Sequence, residues 1–384
     1  MGGAGAGAGV GLGVDVAEGP VGEGDVLLPQ AVMQIPRPIT KKISRMSLLT
    51  SRRDFLATLT ATAVAAHLKD HLGAAAKALR GAFMILNTPF THDGAVDWDD
   101  LTREAVFVDR AGCQGIVWPQ GSSAVATLTK DERLRGMDVL AKGMQGKQAA
   151  LVLGVQGRDT AEMLEYAARA EALAADAVIA MPPTSATSLD DYRSYFRALA
   201  GAVKRPVILQ TSGGARNLVP PVDLIVELAR EFPNCGYVKE ESEPVLARMR
   251  DELRQRPPMR GIFGASFGVG WLYEMRLGLD GVITGNAMYA DLMARIWELH
   301  TRGKSDELRD AYSKFLLMRN LDEQVPGTNL YVMKKRGLFK TTVTRAGVPA
   351  PGQAPKINQV TLPPDAIDEI EFRLAALKPY LATS

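Results

Sequence analysis

Cysteine and histidine are scarce in this chain, and neither sign of charge is in excess. Its two cysteines, Cys113 and Cys235, lie far apart and in no C-x-x-C pattern. They offer neither a disulfide framework nor a zinc-site spacing, and read as small buried hydrophobes. Of the four histidines (His67, His71, His92 and His300), only His67 and His71 stand at an i, i+4 spacing. That pair falls in a segment read below as a targeting peptide, so no metal role is assigned to it. With 45 basic and 43 acidic side chains, the net charge is +2. A balance this even excludes a strong field for nucleic acid or for an anionic membrane. What is present is ordinary for a globular protein. The 384 residues are 46% hydrophobic and 23% charged, and they fit one large domain or two small ones.

The front of the chain stands apart from the rest. Residues 1–45 begin Met1-Gly2-Gly3-Ala4-Gly5-Ala6 and carry Gly and Ala without a usable pattern. Such a stretch buries too little apolar surface to order itself. It is expected to be a disordered extension or a mis-assigned start, with Met46 the natural first residue. Next comes Ser51-Arg52-Arg53-Asp54-Phe55-Leu56, leading into an uncharged run over residues 55–68. Two arginines before a modest apolar run resemble a twin-arginine export signal. The run is too short and too rich in Ala and Thr for a membrane span. Residues 46–78 are therefore expected to be a signal peptide read by the twin-arginine machinery, with A-x-A-like cleavage sites near Ala63, Ala65 and Ala74-Ala75-Ala76. The expected location is periplasmic or otherwise extracytoplasmic, with a cytoplasmic protein as the alternative. The plainer reading of the segment is an amphipathic helix with two incidental arginines.

From Arg80 onward short apolar runs recur, each followed by a helical pattern. Strands are predicted at residues 82–86, 115–118, 150–154, 177–181, 207–210, 237–240, 261–264 and 281–284. Between them lie segments such as residues 160–173, where Met163, Leu164, Ala167, Ala170 and Leu173 share one face behind an N-cap at Asp159-Thr160. Eight such repeats predict an α/β protein of the (β/α)8 (TIM) barrel type over residues 80–300. An open doubly wound sheet is the rival, but no Gly-x-Gly-x-x-Gly turn follows the first strand. Helical stretches at 291–302, 307–319 and 366–380 predict a C-terminal helical extension over residues 301–384.

In such a barrel the site lies where strands run into their following loops. Asn87-Thr88-Pro89-Phe90 ends the first strand and Gly121-Ser122-Ser123 the second. Thr184 follows the fourth, and Gln210-Thr211 and Thr284-Gly285 end the fifth and eighth. The sixth carries Lys239 in an apolar run. Burial disfavours an ammonium ion, and a partly neutral lysine amine is the nucleophile that forms Schiff bases with carbonyl compounds. The plainer reading is a strand-end lysine paired with Glu240 or Glu241. Gly121-Ser122-Ser123 offers hydroxyls and backbone N–H groups for a carboxylate, or an ordinary N-cap turn. Strand alternation puts Tyr237, Lys239 and Glu241 on one face, and Glu241 is placed to act as acid or base.

Thr88-Pro89-Phe90, Gly121-Ser122-Ser123, Pro182-Pro183 and Val238-Lys239-Glu240, in that order, resemble the dihydrodipicolinate synthase / N-acetylneuraminate lyase family from about Gly81 onward. The resemblance implies a dimeric or tetrameric barrel whose Lys239 forms a Schiff base with pyruvate, another 2-keto acid or a keto-deoxy sugar acid. It implies aldolase or dehydratase chemistry with no metal or organic cofactor. By the same resemblance Ser122 or Ser123, with Gly121, would hold the keto-acid carboxylate, and Gln210 and Thr284 would line the site. Thr184 falls where the family has a proton-relaying tyrosine. A threonine hydroxyl is a far weaker acid than a phenol, so Tyr237, Glu240, Glu241 and Tyr289 are the candidate replacements. Gln210-Thr211 stands in place of the family's Tyr-Asn, and the glutamate of its G-T-T-G-E loop is missing. Arg216 lies near a substrate-binding arginine of some members. The alternative to an enzyme is a barrel that binds a keto acid without turning it over, or one that keeps only the fold.

Overall fold

The computed structural model describes residues 77–381. The segment expected to be an extension, and the arginine pair with its apolar run, lie outside the described residues. Among the described residues, eight parallel strands close into a barrel: β1 (Gly81–Ile85), β2 (Gly115–Trp118), β3 (Ala150–Gly154), β4 (Ala177–Ala180), β5 (Val207–Gln210), β6 (Tyr237–Lys239), β7 (Gly261–Gly264) and β8 (Gly281–Thr284). β1 pairs with both β2 and β8, so Phe83 stands opposite Gly115 on one side and Ile283 on the other. The predicted strands agree with these to within a residue at either end. The eight helices of the repeat are α1 (Trp98–Arg110), α2 (Lys130–Gly143), α3 (Thr160–Ala172), α4 (Leu189–Ala202), α5 (Val222–Glu231), α6 (Val245–Arg254), α7 (Trp271–Leu277) and α8 (Ala290–Thr301).

Strands of a parallel barrel are buried on both faces, so they read as continuous apolar runs. The two faces serve different cores. Phe83, Val117, Val152, Ile208, Phe263 and Ile283 fill the barrel interior, while their neighbours Met84, Ile116, Leu209, Val238, Ile262 and Val282 face the helices. Phe83 and Phe263 meet edge to face with centroids 5.4 Å apart, a geometry that adds about 1 kcal/mol beyond area burial. Helix starts follow their capping residues. Asp159 accepts from the Glu162 N–H at 2.9 Å, as the sequence predicts for α3. Thr129 and Glu132 form a reciprocal capping box on α2.

Leu79 packs against the interior cluster from below. Lys77 bonds the Ala149 carbonyl at 2.9 Å and Asp176 Oδ2 at 3.1 Å. Lys77, the first described residue of the expected signal segment 46–78, thus bonds to the barrel, and residues 46–76 lie outside the described residues. The C-terminal extension holds more than the sequence predicts. Beside α9 (Ser305–Gln324) and the final α11 (Pro364–Leu377) it has α10 (Thr328–Lys335) and an antiparallel pair, β9 (Val343–Arg345) with β10 (Ile357–Gln359). Arg345 pins that pair to the barrel, donating to both Glu132 carboxylate oxygens at 2.9 and 2.7 Å and to the Gly94 carbonyl at 2.6 Å.

One buried acid marks the barrel wall. Glu104 of α1 is fully buried and accepts from the Asn87 N–H at 3.0 Å and from Asn87 Nδ2 at 2.9 Å. Burial pushes its carboxyl up from 4.5 to about 8, against the two Asn87 bonds. The folded protein then holds a proton that the unfolded chain has released between these values, so stability falls as pH rises through that window, by about 1.4 kcal/mol per unit at most. Glu104→Gln keeps the acceptor for Asn87 and removes the ionisation. It should raise the melting temperature more at about pH 9 than at about pH 5; equal shifts at both would contradict the assignment.

Candidate active site

Tyr237 packs on the interior cluster and Val238 on the outer one. Alternation therefore turns Lys239 inward at the top of β6, one layer above the apolar fill. Its cross-strand partners are Gln210 of β5 and Phe263 of β7. Lys239 is only 4% exposed. Burial lowers its amine from the ordinary lysine value, and the Glu241 carboxylate opposes that shift by charge and by hydrogen bond, with Glu240 adding charge. Lys239 Nζ lies 2.8 Å from Glu241 Oε1.

The same Glu241 oxygen accepts from Gln210 Nε2 at 2.7 Å and from Ser212 Oγ. A buried ion pair is tolerable only when its spare lone pairs are satisfied, and Gln210 with Ser212 does this for Oε1. Gln210 Oε1 is buried without a protein partner, which leaves one acceptor for a ligand's donor. Strand alternation named Glu241 as a candidate on Lys239's face. The part played by Ser212 had no sequence signal beyond its place in the small-residue run after β5.

Ser122 and Ser123 separate in role. They lie in a 3-10 turn, Gly121–Ser123, directly after β2 and Pro119-Gln120. Ser123 is fully buried; its hydroxyl donates to the Leu86 carbonyl at 2.5 Å and accepts from the Gln120 N–H at 3.0 Å. It ties β2's end to β1's. Ser122 is half-buried and its Oγ faces Gly285, where an added Cβ would come within 2.4 Å of it. Gly285 is thus required for the ends of β2 and β8 to meet. Gly121 is exposed, with open space where a side chain would be.

Two expected site residues fall elsewhere. Thr284 follows Ile283, an interior residue, and so shares Val282's outward face; its hydroxyl accepts from Asn286 Nδ2 at 3.3 Å, beside the helices rather than in the mouth. Thr184 is exposed in the turn after Pro182-Pro183, outside the buried cluster around Lys239. Glu241, not Thr184, touches the lysine. Among the other candidates, Tyr237 lies one layer below Lys239 with its ring over Gly261. Tyr289 is buried beside the extension, where Asp322 and Arg319 act on it electrostatically. Arg216 is exposed.

A further rim residue was not legible. In the loop after β7, Ser266, Phe267 and Gly268 have φ of 46°, 52° and 75°. Left-handed backbone in two successive non-glycine residues is uncommon and costs of order 1 kcal/mol or more each. Asn286 Nδ2 donates to the Phe267 carbonyl at 2.7 Å, and Tyr312 OH of α9 lies 2.7 Å from that of Gly268. Arg319 covers the Phe267 ring at 4.5 Å. The other edge of that ring lies 3.5 Å from the space beside Gly285 that Ser122 also faces.

Comparison with known proteins agrees with the barrel fold. The chain is 28% identical over 269 residues to the 4-hydroxy-tetrahydrodipicolinate synthase of Chlorobium chlorochromatii, spanning 68% of this chain and 89% of that one. It is 26% identical over 240 residues to the enzyme of the same name from Parabacteroides distasonis, across 62% of this chain and 80% of the relative. The crystal structure of dihydrodipicolinate synthase from Rhodopseudomonas palustris superposes with a TM-score of 0.67 at 23% identity, covering 78% of this chain and 97% of that one. A pyruvate complex of the synthase from Acinetobacter baumannii gives 0.66 at 19% identity, covering 78% and 99%. The model of the Dihydrodipicolinate synthetase family matches residues 78–350, the barrel and the start of its extension, and the chain belongs to that family.

Proposed function

We propose that the protein is a Schiff-base-forming lyase, an aldolase or dehydratase acting on pyruvate, another 2-keto acid or a keto-deoxy sugar acid. One observation carries the reading: a buried lysine at the top of β6 whose amine is in contact with a carboxylate, Lys239 Nζ to Glu241 Oε1 at 2.8 Å. Glu241 takes a proton from the Lys239 ammonium, and the neutral amine adds to the keto carbon. The same carboxyl returns the proton to the carbinolamine oxygen, which leaves as water. For C–C cleavage the iminium accepts the electron pair of the bond that breaks. For dehydration it accepts that of the adjacent C–H bond, whose proton passes to a base, and the resulting enamine expels the β-hydroxyl, which takes up a proton and leaves as water. The Ser122 hydroxyl and the N–H groups of Gly121 and Ser122, at the start of the turn after β2, would take the substrate carboxylate,. Gln210 orients Glu241 and leaves Oε1 for the substrate. The names of the catalogued relatives support the lyase class.

A second reading is favoured by the exposed Thr184: a barrel that forms the adduct but, without the family's phenol, turns it over poorly. The family resemblance also supports a homo-oligomer, dimer or tetramer, which sedimentation velocity would read directly. Arg52-Arg53 before an apolar run supports export by the twin-arginine route,. Arg52→Lys with Arg53→Lys should then hold the protein in the cytoplasm, and unchanged distribution would end that reading.

Borohydride reduction with pyruvate, read by intact mass, should give one adduct that Lys239→Ala abolishes. No adduct, or one that survives the substitution, refutes the Schiff-base reading. Glu241→Gln removes the charge that holds the ammonium, so trapping should shift to lower pH while turnover of sugar-acid substrates falls by about a hundredfold. A wild-type protein that traps pyruvate but turns over no sugar-acid substrate would favour the binder. Ser122→Ala should weaken keto-acid binding with the melting temperature unchanged. Ser123→Ala should lower the melting temperature through two lost bonds, each about 1 kcal/mol.

A further inference from the structure

The outer face of β6 holds a second carboxylate that the proposed chemistry does not use. Glu240 alternates away from the mouth and is fully buried. Its Oε1 accepts from Thr211 Oγ1 at 2.7 Å and from the Ser242 N–H at 2.7 Å. Its Oε2 accepts from Arg248 Nε at 3.0 Å and lies 2.9 Å from Nη2 of the same guanidinium. Thr211 Oγ1 in turn accepts from the Glu241 N–H at 3.1 Å. The carboxylate thus grips the chain on both sides of Glu241, directly at residue 242 and through one hydroxyl at 241. Its own place is set from three elements. The Glu240 N–H donates to the Phe263 carbonyl of β7 at 2.9 Å. Arg248 of α6 is held by the Pro220 carbonyl, ahead of α5, at 2.8 Å.

A carboxylate–guanidinium pair between a barrel strand and its helix is ordinarily scaffold. Here, however, its bonds go to the short turn whose one inward side chain is Glu241. We propose that Glu240 is a positioning residue, which through Thr211 and the Ser242 N–H holds Glu241 against Lys239. This rests on the Schiff-base reading above. The charged and titratable groups facing Glu240 are Arg248 and Glu252 from α6 and Lys239 and Glu241 from its own strand. Glu252 is fully buried, and burial together with the Glu240 charge holds its carboxyl well above the ordinary range. It is therefore neutral near pH 7.

The test is borohydride trapping of pyruvate on the full-length protein, followed by mass across a pH series, for three variants. Thr211→Val breaks the link to the Glu241 N–H and should slow trapping about tenfold, the effect of one lost buried bond. Glu240→Gln keeps a carbonyl for Thr211 and Ser242 but removes a charge that favours the Lys239 ammonium, so its profile should move to lower pH. Glu252→Gln replaces a neutral acid by a neutral amide and should leave the profile in place. A scaffold role would lower the melting temperature of the first two without moving rate or profile, and that result overturns the proposal. Should Glu240→Gln fail to fold, the rate of Thr211→Val decides alone. A wild type that forms no adduct instead refutes the Schiff-base reading beneath it.

Discussion

Taking the Lys239 ammonium out of water is the step on which the rest of the site depends. An isolated buried charge is strongly disfavoured, so the amine must lose its proton or find an anion. Burial lowers it, and the Glu241 carboxylate 2.8 Å away opposes that fall. That pairing creates its own requirement, because Glu241 now also sits in low dielectric. Gln210 and Ser212 donate to its inner oxygen. Glu240 and Thr211 fix the backbone that carries it. Each of these residues is explained by the need of the one before it.

The closed barrel makes that chain of dependence possible. Parallel pairing of β5 with β6 sets Gln210 beside Lys239 by register alone, and the interior fill below leaves the lysine no deeper place to go. The extension contributes the opposite rim. Asn286 at the Phe267 carbonyl, Tyr312 at the next carbonyl and Arg319 over the ring hold Phe267 in a backbone region it would otherwise avoid. The result is an aromatic ring beside Gly285 and Ser122. Strain of this kind persists only where neighbours over-determine it, and here two of them, Tyr312 and Arg319, come from α9, outside the eightfold repeat.

How much of this the sequence shows depends on which physical signal each part leaves. Strands buried on both faces leave continuous apolar runs, so β1 to β8 were legible almost to the residue. Lys239 was legible because a charge in such a run is an anomaly. Side-chain direction at the mouth was less so. Thr284 ends a strand as Gln210 does, but alternation counted from the interior residues Ile208 and Ile283 sends one inward and the other outward. The two serines look equivalent in a Gly-Ser-Ser run, and only the carbonyl of Leu86 distinguishes them. Thr184 was placed by alignment with a tyrosine, and a smaller side chain leaves that position in solvent. Helix α10 and the β9–β10 pair were missed because eight-residue and three-residue elements carry too little periodicity to read. Phe267 gave no signal, since its left-handed backbone is imposed by residues distant in sequence.

Replacing a phenol by a carboxylate changes more than the identity of the acid. A tyrosine hydroxyl with an ordinary value near 10 begins as a proton donor, whereas a glutamate with an ordinary value near 4.3 begins as a base. On the proposed reading the resting site is therefore an ion pair, and its first step is to draw a proton off the lysine rather than to supply one to the substrate. The carboxylate must then be in contact with the amine before substrate arrives, and a phenol need not be. That requirement accounts for Glu241 lying on the lysine's own strand end, two residues away on the same face, instead of across the mouth on β4. It also accounts for the bonds that converge on residues 240 to 242: a base reached through so short a segment of chain is only as well placed as the backbone that carries it.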